Sequence, residues 1–380
     1  MRVFGGWLNH SGTQALCRAL TDAGHQALFV GGCVRNALLN VPVADIDIAT
    51  DATPENVTDV AEKAGFRAIP TGMDHGTITV LAHGVVHEVT TFRRDVQTDG
   101  RHATVAFTTN VAQDAARRDF TMNALYANAR GEVIDPLGGL PDLLARRVRF
   151  VGDADARIRE DYLRLLRFFR FHAVYGDPEG GIDADGLAAC AAHIDHIDGL
   201  SRERIGWEMR KLLAARDPAP AVAAMVQIGA LGAILPGADP RALAPLVHLE
   251  AEMAPRWQRR LAAIGGQDAA EYLRLSRMES VTVQQIRDET GTAKTAAALA
   301  WAYDMDTATD TILCRAALLE QSLPTNWQAD IARGALAHLP ISAADLMPAL
   351  QGPALGEALR DLTARWLASD LSLTKAQLLV

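Results

Sequence analysis

Short alternating runs of apolar and polar residues fill the first third of the chain, and helical spacing takes over from about residue 155. An α+β head with an all-helical remainder is therefore expected. Residues 27–30 (ALFV) read as a short buried strand, followed by a Gly31-Gly32 turn and a helix start. Residues 45–48 (DIDI) alternate, so Ile46 and Ile48 should enter the core while Asp45 and Asp47 share the opposite face. The spacing predicts a helix over residues 11–23 with Ser11 as cap and Gly24 as stop, and another opened by Thr53-Pro54 and ended by Gly65. Residues 76–82 and 85–93 alternate like paired strands across a His83-Gly84 turn. Residues 93–104 are polar and carry Asp99-Gly100, which predicts a mobile loop. Asn110 should cap a helix, Pro141-Asp142 should open another, and residues 159–170 are expected to form a single helix.

At 380 residues and 49% apolar, the chain can bury a large core in two or more subdomains. A net charge of -9 argues against a surface built for indiscriminate nucleic-acid binding, although a local basic groove is still compatible with it. Cys17, Cys33, Cys190 and Cys314 make no Cys-x-x-Cys pair, so neither zinc nor a disulfide framework is indicated, and reduced thiols in a cytoplasm are expected. The start of the chain lacks a secretory pattern. The uncharged run 218–236 contains Gln227 between prolines and reads as a buried helix and its exit, not a membrane span.

Asp45 and Asp47 are the first candidate chemistry. Two carboxylates projecting side by side are costly unless a divalent cation lies between them, and hard oxygen ligands suit magnesium together with substrate phosphates. Gly31-Gly32 would let backbone N–H groups approach a triphosphate, with Arg35 as a positive fork. A plain turn and two solvated charges are the competing reading of the same residues. Glu88 is either a third acid facing the pair or an ordinary strand glutamate. In the Arg117-Arg118-Asp119 cluster, at least one arginine is expected to turn inward toward phosphate. Asp161, Arg164, Arg167 and Arg170 recur every three residues, and such a line of arginines should face an anion. A carboxylate beside a guanidinium can accept from the exocyclic amino group of cytosine or adenine and donate to the ring nitrogen, which disfavours uracil and guanine. The run HIDHID (residues 193–198), with His172 nearby, raises a hydrolase metal site, but no partner His-Asp set follows at helical spacing.

The motifs GGCVRNALLN with DID, HEVTTFRRD, DGRHATV, RRDFTMNAL, DPLGGLPDL, REDYLRLLRFFRF and LSRERIGWEMRKLL occur in this order over about the first 215 residues. In this the chain resembles class II CCA-adding tRNA nucleotidyltransferases, a family that includes bacterial poly(A) polymerases. The resemblance implies a polymerase-beta-like head (residues 1–140), a helical neck (141–200), a body (201–264) and a tail (265–380). It implies Mg2+ at Asp45 and Asp47, and nucleotide contacts at Gly32, Arg35, Arg118, Asp161, Arg164, Arg167 and Arg170. It also implies addition of C, C and A to the acceptor arm of tRNA from CTP and ATP. A poly(A) polymerase and a catalytically idle RNA-binding module are the alternatives, and residues 99–104 match a loop that CC-only adders lack.

Two positions depart from the family pattern. Asn36 stands where it usually has Asp, which should weaken the orientation of Arg35, and Asn40 stands where it has Gly, a residue type that tolerates left-handed backbone. Basic clusters at Arg146-Arg147-Arg149, residues 202–211, Arg256-Arg259-Arg260 and Arg274-Arg277 are candidate RNA contacts, each of which also reads as a solvated face.

Overall fold

The computed structural model describes residues 1–73, 76–99 and 102–380. The chain divides into two compact units, Met1–Leu200 and Ser201–Val380.

In the first unit the described residues form a sheet of β1 (Leu28–Val30), β2 (Asp47–Thr50), β3 (Arg67–Gly72), β4 (Thr77–Ala82), β5 (Val85–Thr91), β8 (Tyr126–Ala127) and β9 (Val133–Ile134), in the order β3-β4-β5-β2-β1-β8-β9. All neighbours are antiparallel except β2 and β5, which run parallel with Asp47 opposite Glu88. His83 and Gly84 both take positive φ, 46° and 83°, and make the expected hairpin turn.

Alternation along β2 and β5 sorts the two faces. Ile48, His87 and Val89 are buried, and the helices Ser11–Asp22 and Pro54–Lys63 pack against this half of the sheet. The approach is close enough that a Cβ on Gly12 would lie 2.2 Å from the Ala82 carbonyl oxygen, so only glycine fits there. Thr53 caps the second of these helices, as its Thr-Pro start suggests. The first is capped by His10, whose Nδ1 accepts from Gly12 N at 3.2 Å; Ser11 is already helical.

Residues 93–104 correct the expectation of a loop. Arg93–Asp99 (β6) and His102–Phe107 (β7) pair antiparallel as a separate two-stranded ribbon, and residues 100–101 lie outside the described residues.

The expected single helix over residues 159–170 is also two helices, Ala154–Glu160 and Leu163–Tyr175. Asp161 lies in the break with extended backbone (φ -155°), and its Oδ1 accepts from Leu163 N at 3.1 Å. A short polar side chain that bonds its own backbone competes with helix propagation. Phe120, Phe150, Phe168 and Phe171 cluster beneath the second helix, with centroid separations of 4.8 to 6.4 Å from Phe120.

The second unit is helical, built from elements such as Arg202–Leu213, Trp257–Ile264, Arg277–Thr290, Met305–Leu318 and Gly352–Ala368. Its interior includes an ionic cluster that corrects one proposed RNA patch. Arg259 and Arg260 are 2% and 1% exposed. Arg259 pairs with Asp310 (2.8 Å) and Glu250 (3.1 Å), and Arg260 pairs with Glu250 (2.6 Å) and donates to the backbone of Leu213, Ala215 and Arg216. Neither guanidinium faces solvent. Among the described residues no helix is long and apolar enough to cross a membrane.

Candidate active site

The side of the sheet opposite the helices carries the acids. Asp45 precedes β2 and is exposed; Ile46 and Ile48 turn inward, and Asp47 is half-buried. Glu88 N donates to the Ile46 carbonyl at 3.0 Å, so the parallel register sets the Glu88 side chain beside Asp47. Burial first, and then the charges of Glu88 and Asp45, push the Asp47 carboxyl up to about 6 against the opposing pull of Arg118 and Arg35. A carboxylate held this way gains from a nearby cation. Among the described residues no three His, Cys, Asp or Glu side chains form a ready-made metal site. Hard carboxylate oxygens, one of them held against its own charge, fit a hard ion that takes one or two carboxylates and fills its other positions from substrate and water, as magnesium does.

Gly31 is the residue on which the turn before this site depends. Its φ of 66° and ψ of -117° disfavour a side chain, whereas Gly32 begins the helix Gly32–Leu38 with ordinary geometry. A Cβ on Gly31 would stand 3.5 Å from Arg118 Nη1, which brings that guanidinium to the turn. Arg118 is held there by Asp114 Oδ2 (3.0 Å) and the Tyr126 hydroxyl (3.1 Å), and Tyr126 in turn donates to Asp114 at 2.7 Å. Arg117 also pairs with Asp114 at 2.7 Å, so both arginines of the Arg-Arg-Asp cluster use Asp114 and not the adjacent Asp119. Spacings of three and four from Asp114 were the available signal.

Arg35 is only 7% exposed and is gripped by protein groups. It donates to Asn36 Oδ1 (3.1 and 2.9 Å), the Tyr175 hydroxyl (2.7 Å) and Asn123 Oδ1, and its guanidinium carbon lies 4.0 Å from the Tyr175 ring centroid. The neutral Asn36 thus orients Arg35 without the carboxylate expected at that position, and its own amide donates to the Pro42 carbonyl. Asn40 has φ 55°, in the left-handed region that glycine would supply.

Arg164 and Arg167 of the arginine line each pair with an acid of the protein. Arg167 donates to Asp119 Oδ2 at 2.8 Å, and Asp119 also accepts from Asn123 Nδ2 and Phe120 N. Arg164 pairs with Glu160 at 2.5 Å and donates to the Arg157 and Arg117 carbonyls. Arg170 is buried, its guanidinium carbon 4.6 Å from the Phe171 ring centroid. Asn123 bonds both Arg35 and Asp119, so one network runs from the Gly31 turn to the helix Leu163–Tyr175. Asp114, Tyr126 and Tyr175, which hold these arginines, were not picked out from the sequence.

Two family profiles match the chain: the Poly A polymerase head domain over residues 27–149, and the probable RNA and SrmB-binding site of polymerase A over residues 181–241. The chain is 36% identical to the CCA-adding enzyme of Geobacillus thermodenitrificans over 278 residues, 71% of this chain and 67% of that one. It is 43% identical to human mitochondrial CCA tRNA nucleotidyltransferase 1 over 203 residues, 53% of this chain and 47% of that one; it spans about half the length of such relatives. Among solved structures, the Bacillus stearothermophilus CCA-adding enzyme in complex with CTP superposes with a TM-score of 0.76 at 28% identity, covering 97% of this chain and 94% of that one. The Thermotoga maritima CCA-adding enzyme complexed with tRNA shares the fold, with a TM-score of 0.67 at 17% identity and coverage of 96% and 92%. The chain belongs to the family of class II CCA-adding enzymes and poly(A) polymerases.

Proposed function

We propose that this protein adds C, C and A to the 3′ end of tRNA, using CTP and ATP and releasing pyrophosphate. The observation that carries the reading is the Asp45/Asp47 pair, with Glu88 in register beside it and Arg118 close enough to bias the Asp47 charge. Asp45 and Asp47 would hold Mg2+, with Glu88 as the third acid. When bound, that ion supplies Lewis-acid stabilisation of the charge that develops on the transferred phosphoryl group.

The chain's own groups do the rest. Backbone N–H groups at Gly32 and the guanidinium of Arg118 favour the triphosphate, and Arg35, fixed by Asn36, Asn123 and Tyr175, adds a rigid positive charge behind them. Asp161 accepts from the amino group of cytosine or adenine, and Arg164 donates to the ring nitrogen. Arg167, held by Asp119, and Arg170, packed on Phe171, belong to the same reading as positive charges behind the nucleotide. The division into head (1–140), neck (141–200), body (201–264) and tail (265–380) belongs to the same reading, with the helical parts holding the tRNA acceptor arm by shape and phosphate contacts. The buried free thiols suit a cytoplasmic enzyme.

The test is incorporation by purified protein with magnesium on tRNA lacking its terminal CCA and on an unrelated RNA. Addition of C, C and A that then stops, on tRNA alone, is the expected result. The name of the head-domain family supports a second reading, poly(A) addition, and runs of A on both RNAs would decide for it.

A further inference from the structure

The HIDHID run (residues 193–198) lies outside the acid site, and the fold gives it a place of its own. Ile194–Gly199 is a 3-10 helix with His193 as its N-cap, and at three residues per turn His193 and His196 fall in line. Their ring centroids are 5.7 Å apart, and Ile197 anchors the turn in the core.

The two rings reach opposite ends of the helix Ala154–Glu160. At its start His193 Nε2 lies 2.6 Å from Asp155 Oδ1, while Asp155 Oδ2 pairs with Arg159 at 2.6 Å. His193 Nδ1 is buried without a hydrogen-bond partner, so Nε2 carries the polar contact of the ring with Asp155. Past the helix end, Tyr162 stacks on His196 with centroids 4.3 Å apart and planes 12° from parallel, and its ring lies 5.9 Å from that of His193. Between these two anchor points lie Glu160, which holds Arg164, and Asp161, whose extended backbone makes the break.

We propose that His193 and His196 are positioning residues for base selection. By gripping the helix at Asp155 and the break at Tyr162, they set where the Asp161 carboxylate and Arg164 stand relative to the incoming base. The inference rests on the reading of Asp161 as the base acceptor.

The test is the ratio of kcat/KM for CTP to that for UTP in a single addition to tRNA lacking CCA, for wild type, His196→Ala, His196→Phe and Asp161→Ala. His196 is exposed, so its truncation leaves the core intact. His196→Ala should lower the ratio about two- to tenfold, the factor that an aromatic pair supplies. His196→Phe, which keeps a stacking face, should restore it. A wild-type ratio in His196→Ala alongside a lowered one in Asp161→Ala would overturn the positioning role and leave base reading intact. Failure of His196→Phe to rescue would overturn the stacking argument. A wild-type ratio in Asp161→Ala would remove base reading, and this inference with it.

Discussion

Asp47→Asn should make the protein more stable and inactive at once. Burial and the neighbouring Glu88 and Asp45 raise this carboxyl from 3.8 to about 6, so ionising it costs more in the folded chain than in the unfolded one. A tenfold change in proton affinity is about 1.4 kcal/mol, which makes the ionised group destabilising by roughly 3 kcal/mol at pH 7.5. With the folded-state pKa raised, the contribution of Asp47 to stability is full below about pH 4 and is lost as the pH rises through about 6. Asparagine has the same shape and no charge. In chelator at pH 7.5 the variant should therefore melt roughly 6 to 12 °C above wild type, from about 2 to 4 °C per kcal/mol for a unit of this size. The two curves should converge by about pH 4. Millimolar magnesium should raise the wild-type midpoint more than that of the variant, which has one carboxylate fewer to offer the ion. Incorporation should fall at least about a hundredfold in the variant. A variant that melts at or below wild type at pH 7.5, or a difference that does not change with pH, would refute the idea that this strand stores unfavourable charge for a cation.

Three further perturbations test the groups that hold the site. Asp119→Asn keeps the size of the group but loses its charge. Although burial alone would raise the Asp119 carboxyl, Arg167, Asn123 and Phe120 N bring it down to about 2. The variant should cost roughly 2 kcal/mol in urea unfolding at pH 7, about half of that by pH 3, because the stabilisation is lost as the pH falls toward 2; a pH-independent difference would show that the charge is not the cause. Asn36→Asp should stabilise by less than about 1 kcal/mol, since the stronger, ionised acceptor for two Arg35 N–H groups is partly offset by loss of the amide that donates to Pro42; an unchanged or lowered unfolding midpoint would show that geometry, not charge, limits the pair. Arg260→Ala should cost about 3 to 5 kcal/mol by leaving the buried Glu250 with Arg259 alone and the Leu213, Ala215 and Arg216 carbonyls without their donor, without altering the slope of log tRNA affinity against log salt; a slope smaller by about one would put this guanidinium on a phosphate.

What could be read in the sequence follows from how far each determinant lies along the chain. The burial of Ile46 and Ile48 on either side of Asp47 was legible from alternation alone, although the strand begins only at Asp47 and leaves Asp45 before it, and the His83-Gly84 turn was legible because two residues suffice. The register that brings Glu88 beside Asp47 was not, since a parallel pairing of β2 with β5 depends on everything between them. A spacing of three suggested one helix through Asp161 to Arg170. Asp161 breaks it, because its short carboxylate bonds Leu163 N in place of continuing the helix. The same limit misplaced Arg259 and Arg260: a run of positive charge reads as a wet surface until Glu250 and Asp310, 9 or 10 and about 50 residues away, are folded against it. Asn36 makes the point most sharply. The missing carboxylate was expected to loosen Arg35, yet a guanidinium needs acceptors in the right plane before it needs charge. Asn36, Asn123 and Tyr175 supply them from three separate parts of the chain. Residues that could act on a substrate stand out locally, whereas those that fix them in place come from distant segments and become visible only when the chain is folded.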